Sequence, residues 1–325
     1  MRALVTGGTG FIGSALVRRL VREGHDVRVL DNNLRGRATR LAGIADRITL
    51  ICGDARESDV VCEAARNCDI IWHLAALNGT ENFYRQPELV LDIGVRSMLA
   101  VIDACERAKV RQLIVASSAE AYQSPPIFPT PETVPLVVPD VLNARYSYGA
   151  SKLISEVLTI NYARAHLQRA VIFRPHNVYG ADMGWEHVIP QFALRALDQI
   201  AKHPKGDLPF PIQGDGNQTR AFVHIDDLVE GMMMLFERGR HLEIYNIGTE
   251  DELSIRNLAE KVAAVFGRKI RLEFGPPAEG GTERRCPAIG KIRALGYQPQ
   301  IAIDKGVRDV VEWYAANVDS RPAPV

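Results

Sequence analysis

The sequence predicts an α/β protein, with a doubly wound parallel sheet followed by a smaller α/β lobe toward the C-terminal end. Three observations carry this. Short apolar runs alternate with longer amphipathic ones, a glycine-rich turn joins the first run to the first helical pattern, and the rhythm loosens after Pro175. Strict alternation of strand and helix implies parallel pairing, because the crossover between parallel strands is usually a helix.

The predicted buried strands are residues 3–5, 27–30, 48–51, 70–74, 113–116 and 170–173, each a short apolar run. Between the first two, Ile12, Ala15, Leu16 and Leu20 recur at i, i+3, i+4 and i+8, one face of a helix. Prolines crowd residues 125–139, which read as a long surface loop beside whatever the sheet binds. Later helices are expected near 188–201, 226–237, 254–266 and 305–316. The boundary drawn from this is a first domain over 1–175, to which 214–245 returns, and a substrate lobe over 176–325.

Composition excludes several classes. The chain has 325 residues, 46% hydrophobic and 24% charged, with a formal net charge of zero. Nothing there suggests an electrostatic hold on nucleic acid or on an anionic membrane. Cys52, Cys62, Cys68, Cys105 and Cys286 are scattered and show no CxxC spacing, so neither a disulfide framework nor a metal site is expected. No run approaches the roughly eighteen apolar residues of a membrane helix. The N-terminus enters the glycine turn with no room for a signal peptide, and a cytoplasmic protein is expected.

The first chemical signal is Thr6-Gly7-Gly8-Thr9-Gly10-Phe11-Ile12-Gly13, which follows a strand and opens a helix. Gly7 allows the tight turn, Gly10 lets backbone approach a pyrophosphate, and Gly13 lets helix pack on sheet. The helix N-terminus then offers N–H groups to the phosphates. This is the Rossmann arrangement, and it implies a dinucleotide. Asp31 ends the second strand, where an acid can hold both ribose hydroxyls and repel a 2′-phosphate, favouring NAD over NADP. Arg35 and Arg37 lie just beyond and leave NADP as the alternative. Asp54, ending the third strand, is placed to meet the adenine amine or to serve as a plain loop carboxylate.

The second signal is Tyr148 and Lys152, four apart on one predicted helix face. An ammonium beside a phenol lowers a pKa normally near ~10 toward the working pH. The phenolate can then take a proton from a sugar hydroxyl while hydride leaves the same carbon. Ser118, in Ser117-Ser118-Ala119-Glu120-Ala121-Tyr122 just after the fifth strand, can donate to the same oxygen.

Together, TGGTGFIG, Asp31, His73-Leu74-Ala75-Ala76, SSAEAY, Tyr148-x-x-x-Lys152 and RPHNVYG over 174–180 resemble the extended short-chain dehydrogenase/reductase family, and within it the nucleotide-sugar epimerases and dehydratases. The likeness continues through Gly214–Arg220, His224-Ile225-Asp226-Asp227, Tyr245–Gly248 and Glu283-Arg284-Arg285 to Leu295-Gly296-Tyr297, almost the whole chain. It implies NAD as cofactor, held by Gly7, Gly10, Phe11, Ile12, Gly13, Asp31, Asn32, Asp54, Leu74, Ala75, Ala76, Tyr148, Lys152, Pro175 and Val178. It implies a nucleotide-diphosphate sugar as substrate, met by Ser118, Asn177, Val188, Arg220 and Arg284 or Arg285. It further suggests a homodimer through helices over 87–109 and 145–166.

Some positions depart from the family pattern. Gly94, Ser97 and Met98 stand where Asn-x-x-Gly-Thr is usual, and Ala181, Ala221 and Ala288 replace a proline and two aspartates. Trp185, Glu186 and His187 are candidates for sugar contacts or for a helix cap with a packed tryptophan.

The shared intermediate implied is a 4-keto sugar. A 4-epimerase needs only Ser118, Tyr148 and Lys152. A 4,6-dehydratase usually carries an acidic pair where Ala119 and Glu120 stand. A uronic acid decarboxylase carries a hydroxyl residue before the glutamate and an arginine near Arg285. Glu120 is either a base for C5 chemistry or a hydrogen-bonding brace for the Ser118 loop. Epimerisation requires the fewest absent residues and is the expected reaction. A regulatory protein that binds NAD without catalysis would lack Tyr148 or Lys152, and both are present.

Overall fold

Seven parallel strands form the central sheet of the computed structural model, which describes residues 1–276 and 282–321. They are β1 (Arg2–Thr6), β2 (Asp26–Asp31), β3 (Ile48–Cys52), β4 (Ile70–His73), β5 (Gln112–Ala116), β6 (Arg169–Pro175) and a last strand, Glu243–Ile247. Their spatial order is Glu243–Ile247, β6, β5, β4, β1, β2, β3, all in parallel register. β4 is buried along its whole length, which explains its uninterrupted apolar run: a parallel strand covered on both faces has no solvent side.

Helix α1 (Phe11–Arg22) and the later helix Ile225–Arg238 cover one face, packing Leu16, Leu20, Leu228 and Met232 against Val5, Val29 and Trp72. The other face takes α2 (Ser58–Ala65), α4 (Pro87–Arg107) and α5 (Ser147–His166) over Leu4, Ile71, Leu113 and Ile172. A short helix, α3 (Thr80–Arg85), precedes α4 and carries Phe83 to the site.

Strand order reverses between β1 and β4, so the carboxyl ends of these neighbours open a crevice, the usual ligand position in such sheets. The lobe beyond β6 packs helices Val188–Lys202, Ile255–Val265 and Ile303–Ala316 around Phe192, Phe210, Leu258 and Val310. Within it Leu208–Gln213 pairs with Ile270–Gly275, and Thr219–Ala221 lies between Glu252–Ser254 and Arg284–Arg285. After Thr219–Ala221 the chain re-enters the sheet layer through Ile225–Arg238 and Glu243–Ile247. Among the described residues no helix is long and apolar enough to cross a membrane.

Candidate active site

The glycine turn sits at the mouth of the crevice. Gly7 has φ +74°, and a Cβ there would lie 2.7 Å from Ala75 N. At Gly13 a Cβ would lie 2.1 Å from Gly7 O, so α1 closes on the turn only because both residues lack a side chain. Leu74 N donates to Thr6 O at 3.1 Å, which seats the Leu74-Ala75-Ala76 segment beside it. Asp31 accepts from Thr9 N at 3.0 Å and from Asn33 N at 2.9 Å and is half-buried at the end of β2. Asn32 accepts from Leu34 N and donates to Asp54 at 3.3 Å. Asp54 is further engaged by Arg56, whose hydrogen bonds hold its carboxyl below the usual range. Arg35 and Arg37, the residues that left NADP open, are paired with Glu186 and Asp182.

The catalytic candidates converge where β5 ends. Ser118 caps the short turn Ala119–Tyr122, its Oγ accepting from Glu120 N at 3.1 Å. Tyr148 and Lys152 lie on the buried face of α5, and the Lys152 Nζ stands 5.7 Å from the Tyr148 ring centre. The expected lowering of the phenol pKa by Lys152 is not what this structure shows. Burial pushes Tyr148 up, a hydrogen bond with Ser118 and the charge of Arg35 pull it down, and Glu120 pushes it up again. Lys152 is spent elsewhere: its Nζ donates to Ala116 O at 2.7 Å, and burial lowers it to about 8. Beneath it His73, bonded to Thr6 Oγ1 at 2.8 Å, is lowered to about 3 by burial and by the Lys152 charge, and stays neutral.

Glu120 is clamped. It accepts from Arg145 at 3.0 Å and from Arg285 at 2.8 Å, with its side chain 15% exposed. Burial alone would raise its carboxyl, but the two guanidiniums bring it down to about 2. Arg285 thus reaches from the lobe across to the catalytic turn. Its neighbour Arg284 points the other way, to Glu252 at 2.5 Å and over Phe128, as alternation along a strand requires. Arg220 is turned to the backbone carbonyls of Thr219, Thr282 and Glu283, and burial, then Arg285, lower it to about 10. Asn177 (φ +39°) donates to Ala221 O at 3.0 Å beside the short strand Val178–Tyr179, while Pro175 ends β6.

Val188 opens a lobe helix and packs on the lobe core. His187 is that helix's N-cap residue, without a side-chain cap bond, and Trp185 packs on Trp313 and Tyr314.

A profile described as the NAD dependent epimerase/dehydratase family matches residues 3–248. The chain belongs to that family. It is 31% identical over 322 residues to a UDP-glucose 4-epimerase of Mycolicibacterium smegmatis, covering 97% of this chain and 98% of the relative. It is 31% identical over 321 residues to UDP-glucuronic acid decarboxylase 4 of Arabidopsis thaliana, covering 98% of this chain and 69% of the relative. Among solved structures, dTDP-glucose 4,6-dehydratase from Streptomyces venezuelae with NAD bound superposes with a TM-score of 0.86 at 30% identity, covering 99% of both chains. This epimerase/dehydratase is therefore an enzyme of the NAD-dependent nucleotide-sugar group, and the crevice is built for NAD: a turn with no room for Cβ atoms at Gly7 and Gly13, and an acid at Asp31. When bound, NAD supplies the acceptor for the hydride of a sugar carbon.

Several working residues of this family member escaped the sequence reading. Phe83 stacks on Tyr148 at 5.0 Å and 10°, and Arg145 lies over Phe83 at 5.3 Å, so one arginine braces both Tyr148 and Glu120. Glu156, one turn beyond Lys152, accepts from Ser117 Oγ at 2.5 Å and from Arg174 at 2.6 Å. Arg174 donates on to Tyr122 at 2.7 Å, and Tyr122 to Asn246 at 2.8 Å. This buried network locks the turn that carries Ser118. Its signal was present as the spacing Tyr148, Lys152, Glu156, a polar stripe on a helix that has to pack against a sheet.

Proposed function

We propose that the enzyme is a nucleotide-diphosphate-sugar 4-epimerase. Once its buried phenol has ionised, Tyr148 takes the proton of the sugar 4-hydroxyl, and Ser118 steadies the oxygen. Lys152, held on the Ala116 carbonyl with its Nζ 5.7 Å from the phenol ring centre, is the nearby cation that favours that ionisation. Arg285 and Arg220, whose present partners are a carboxylate and backbone carbonyls, are the groups offered to the diphosphate.

The observation that carries the reading is the state of Glu120. With both oxygens held by guanidiniums its carboxyl lies near 2, and Arg145 stays on it when Arg285 turns to the diphosphate, so it is poorly placed to remove a C5 proton. The position before it is the buried Ala119, which can donate no proton to a departing 6-hydroxyl. Ser118, Tyr148 and Lys152 gather where C4 oxidation and reduction need them, whereas C5–C6 elimination lacks an acid at Ala119. A uronic acid decarboxylase is the second reading, favoured by Arg145 and Arg285 beside Glu120 and by the likeness to the Arabidopsis enzyme, since a 4-keto uronate loses carbon dioxide without a base.

Incubation with UDP-, dTDP-, GDP- and CDP-hexoses and UDP-glucuronate in deuterated water, followed by NMR, separates these. Epimerisation inverts C4 with no solvent deuterium in the product. Deuterium at C5 or C6 sinks the proposal, and a pentose product replaces it with the second reading.

The reading includes a homodimer in the cytoplasm. Leu91, Leu99, Ile154 and Val157 are exposed on α4 and α5, an apolar face suited to a second copy, and all five cysteines are free thiols.

A further inference from the structure

Beyond Asp31 the chain does not turn directly into a helix. Residues 32–40 fold back over the glycine turn and are fastened there. Arg37 N donates to Thr9 O at 3.1 Å, the Arg40 guanidinium to the same oxygen at 3.2 Å, and Thr9 Oγ1 to Asn33 at 3.0 Å. Contact is so close at Gly36 that a Cβ would sit 1.9 Å from Thr9 Oγ1.

From this anchorage three guanidiniums cross to the lobe. Arg40 donates to the Asp182 carboxylate and to Asp182 O, both at 2.8 Å. Arg37 joins the same carboxylate, and Arg35 pairs with Glu186. The lobe end is itself tied down, because Tyr314 donates to Gly184 O at 2.9 Å and Trp185 meets the Tyr314 ring edge-on at 4.8 Å. Arg35 also lies near Tyr148, whose phenol its charge pulls down, and near the backbone of Gly79. The segment therefore bridges from the ribose acid Asp31 past the phosphate turn toward the reacting end.

We propose that this strap, Arg35, Arg37 and Arg40 with the lobe anchors Asp182 and Glu186, retains the dinucleotide between turnovers. The proposal rests on the internal redox cycle read above: a ketone made at C4 is reduced by the same cofactor molecule that accepted its hydride, so release in mid-cycle strands the intermediate. Isolated exposed ion pairs hold little, but Arg40 and Asp182 are only 10% and 23% exposed and share one network with Arg37. Arg35, Arg37 and Arg40 are positioning residues: they act by keeping the two lobes together over the cleft.

The test is the NAD dissociation rate of the holoenzyme, followed by the loss of bound NAD after rapid gel filtration. Asp182→Asn with Glu186→Gln is expected to speed release about tenfold to a hundredfold, the scale of losing a partly shielded network. Asp182→Glu should restore most of the retention, and release from the unmutated enzyme should quicken as salt rises from about 0.05 to 1 M. Release within twofold of the unmutated rate overturns the strap even where the deuterium experiment supports epimerisation. Should the double variant not fold, a salt-independent rate in the unmutated enzyme overturns it as well. Unmutated protein that holds no NAD at all removes both the internal cycle and the strap.

Discussion

The two walls of the cleft are built on opposite principles. On the sheet side Ser118, Tyr148 and Lys152 stand on a buried network in which Glu156, Arg174, Tyr122 and Asn246 satisfy one another. On the lobe side Arg220, Arg284 and Arg285 sit on two- and three-residue strands and hold carboxylates or backbone carbonyls. Buried polar groups tolerate little displacement, because each broken partner leaves a desolvated charge behind. Guanidiniums on the lobe can exchange a carboxylate or carbonyl oxygen for a phosphate oxygen, which fits the same planar fork. Under the proposed function the contrast teaches a division of labour: the wall assigned to proton transfer is preset, while the wall assigned to the diphosphate is satisfied by stand-ins until substrate arrives.

The largest break in this comparison comes from the preset wall. Tyr148→Phe removes one oxygen from a ring already fixed by Phe83, and kcat is expected to fall by about 10³- to 10⁴-fold with the thermal transition unmoved. A rate within tenfold of the original would remove the phenol as the base.

A second break targets Glu120, which joins the two walls through Arg285. Glu120 has a folded pKa near 2 against an ordinary 4.5, so its contribution to stability is complete above about pH 4.5 and disappears as pH falls toward 2. Glu120→Gln is expected to cost roughly 3 kcal/mol at neutral pH, and the gap between variant and parent in urea unfolding should close on acidification. A gap that is constant from pH 7 to 3 would mean the carboxylate charge is not what Arg145 and Arg285 hold.

These differences track what was legible in the chain. The sheet was readable because a parallel strand buried on both faces leaves a continuous apolar signature, as in Ile70–His73, and because Gly7 and Gly13 answer to backbone geometry alone. That Tyr148 and Lys152 share one helix face was readable from a spacing of four. The clamp on Glu120 was not, since Arg145 and Arg285 lie 25 and 165 residues away from it and only the folded lobe brings them together. Nor was the raised phenol pKa of Tyr148: helix spacing places Lys152 on the right face, but burial and the Ala116 carbonyl decide where its ammonium points. Long-range pairing and desolvation have no local signature.

The smallest expected effect sharpens the lobe side. Arg284 and Arg285 are adjacent and chemically identical, and the resemblance alone did not separate them. Strand alternation does: Arg285 faces Glu120 in the cleft, while Arg284 faces Glu252 with its side chain 46% exposed. Arg285→Ala should therefore raise KM for a nucleotide sugar about tenfold or more, the loss of a charge-assisted phosphate contact. Arg284→Ala should change it by less than about twofold, because an exposed ion pair contributes little and does not face the ligand. Lysine at 285 should recover part of the binding, a point charge without the fork. If Arg284→Ala raised KM as much as Arg285→Ala, the register of that two-residue strand would have to shift on substrate binding, and the lobe wall would be mobile in its backbone as well as in its partners.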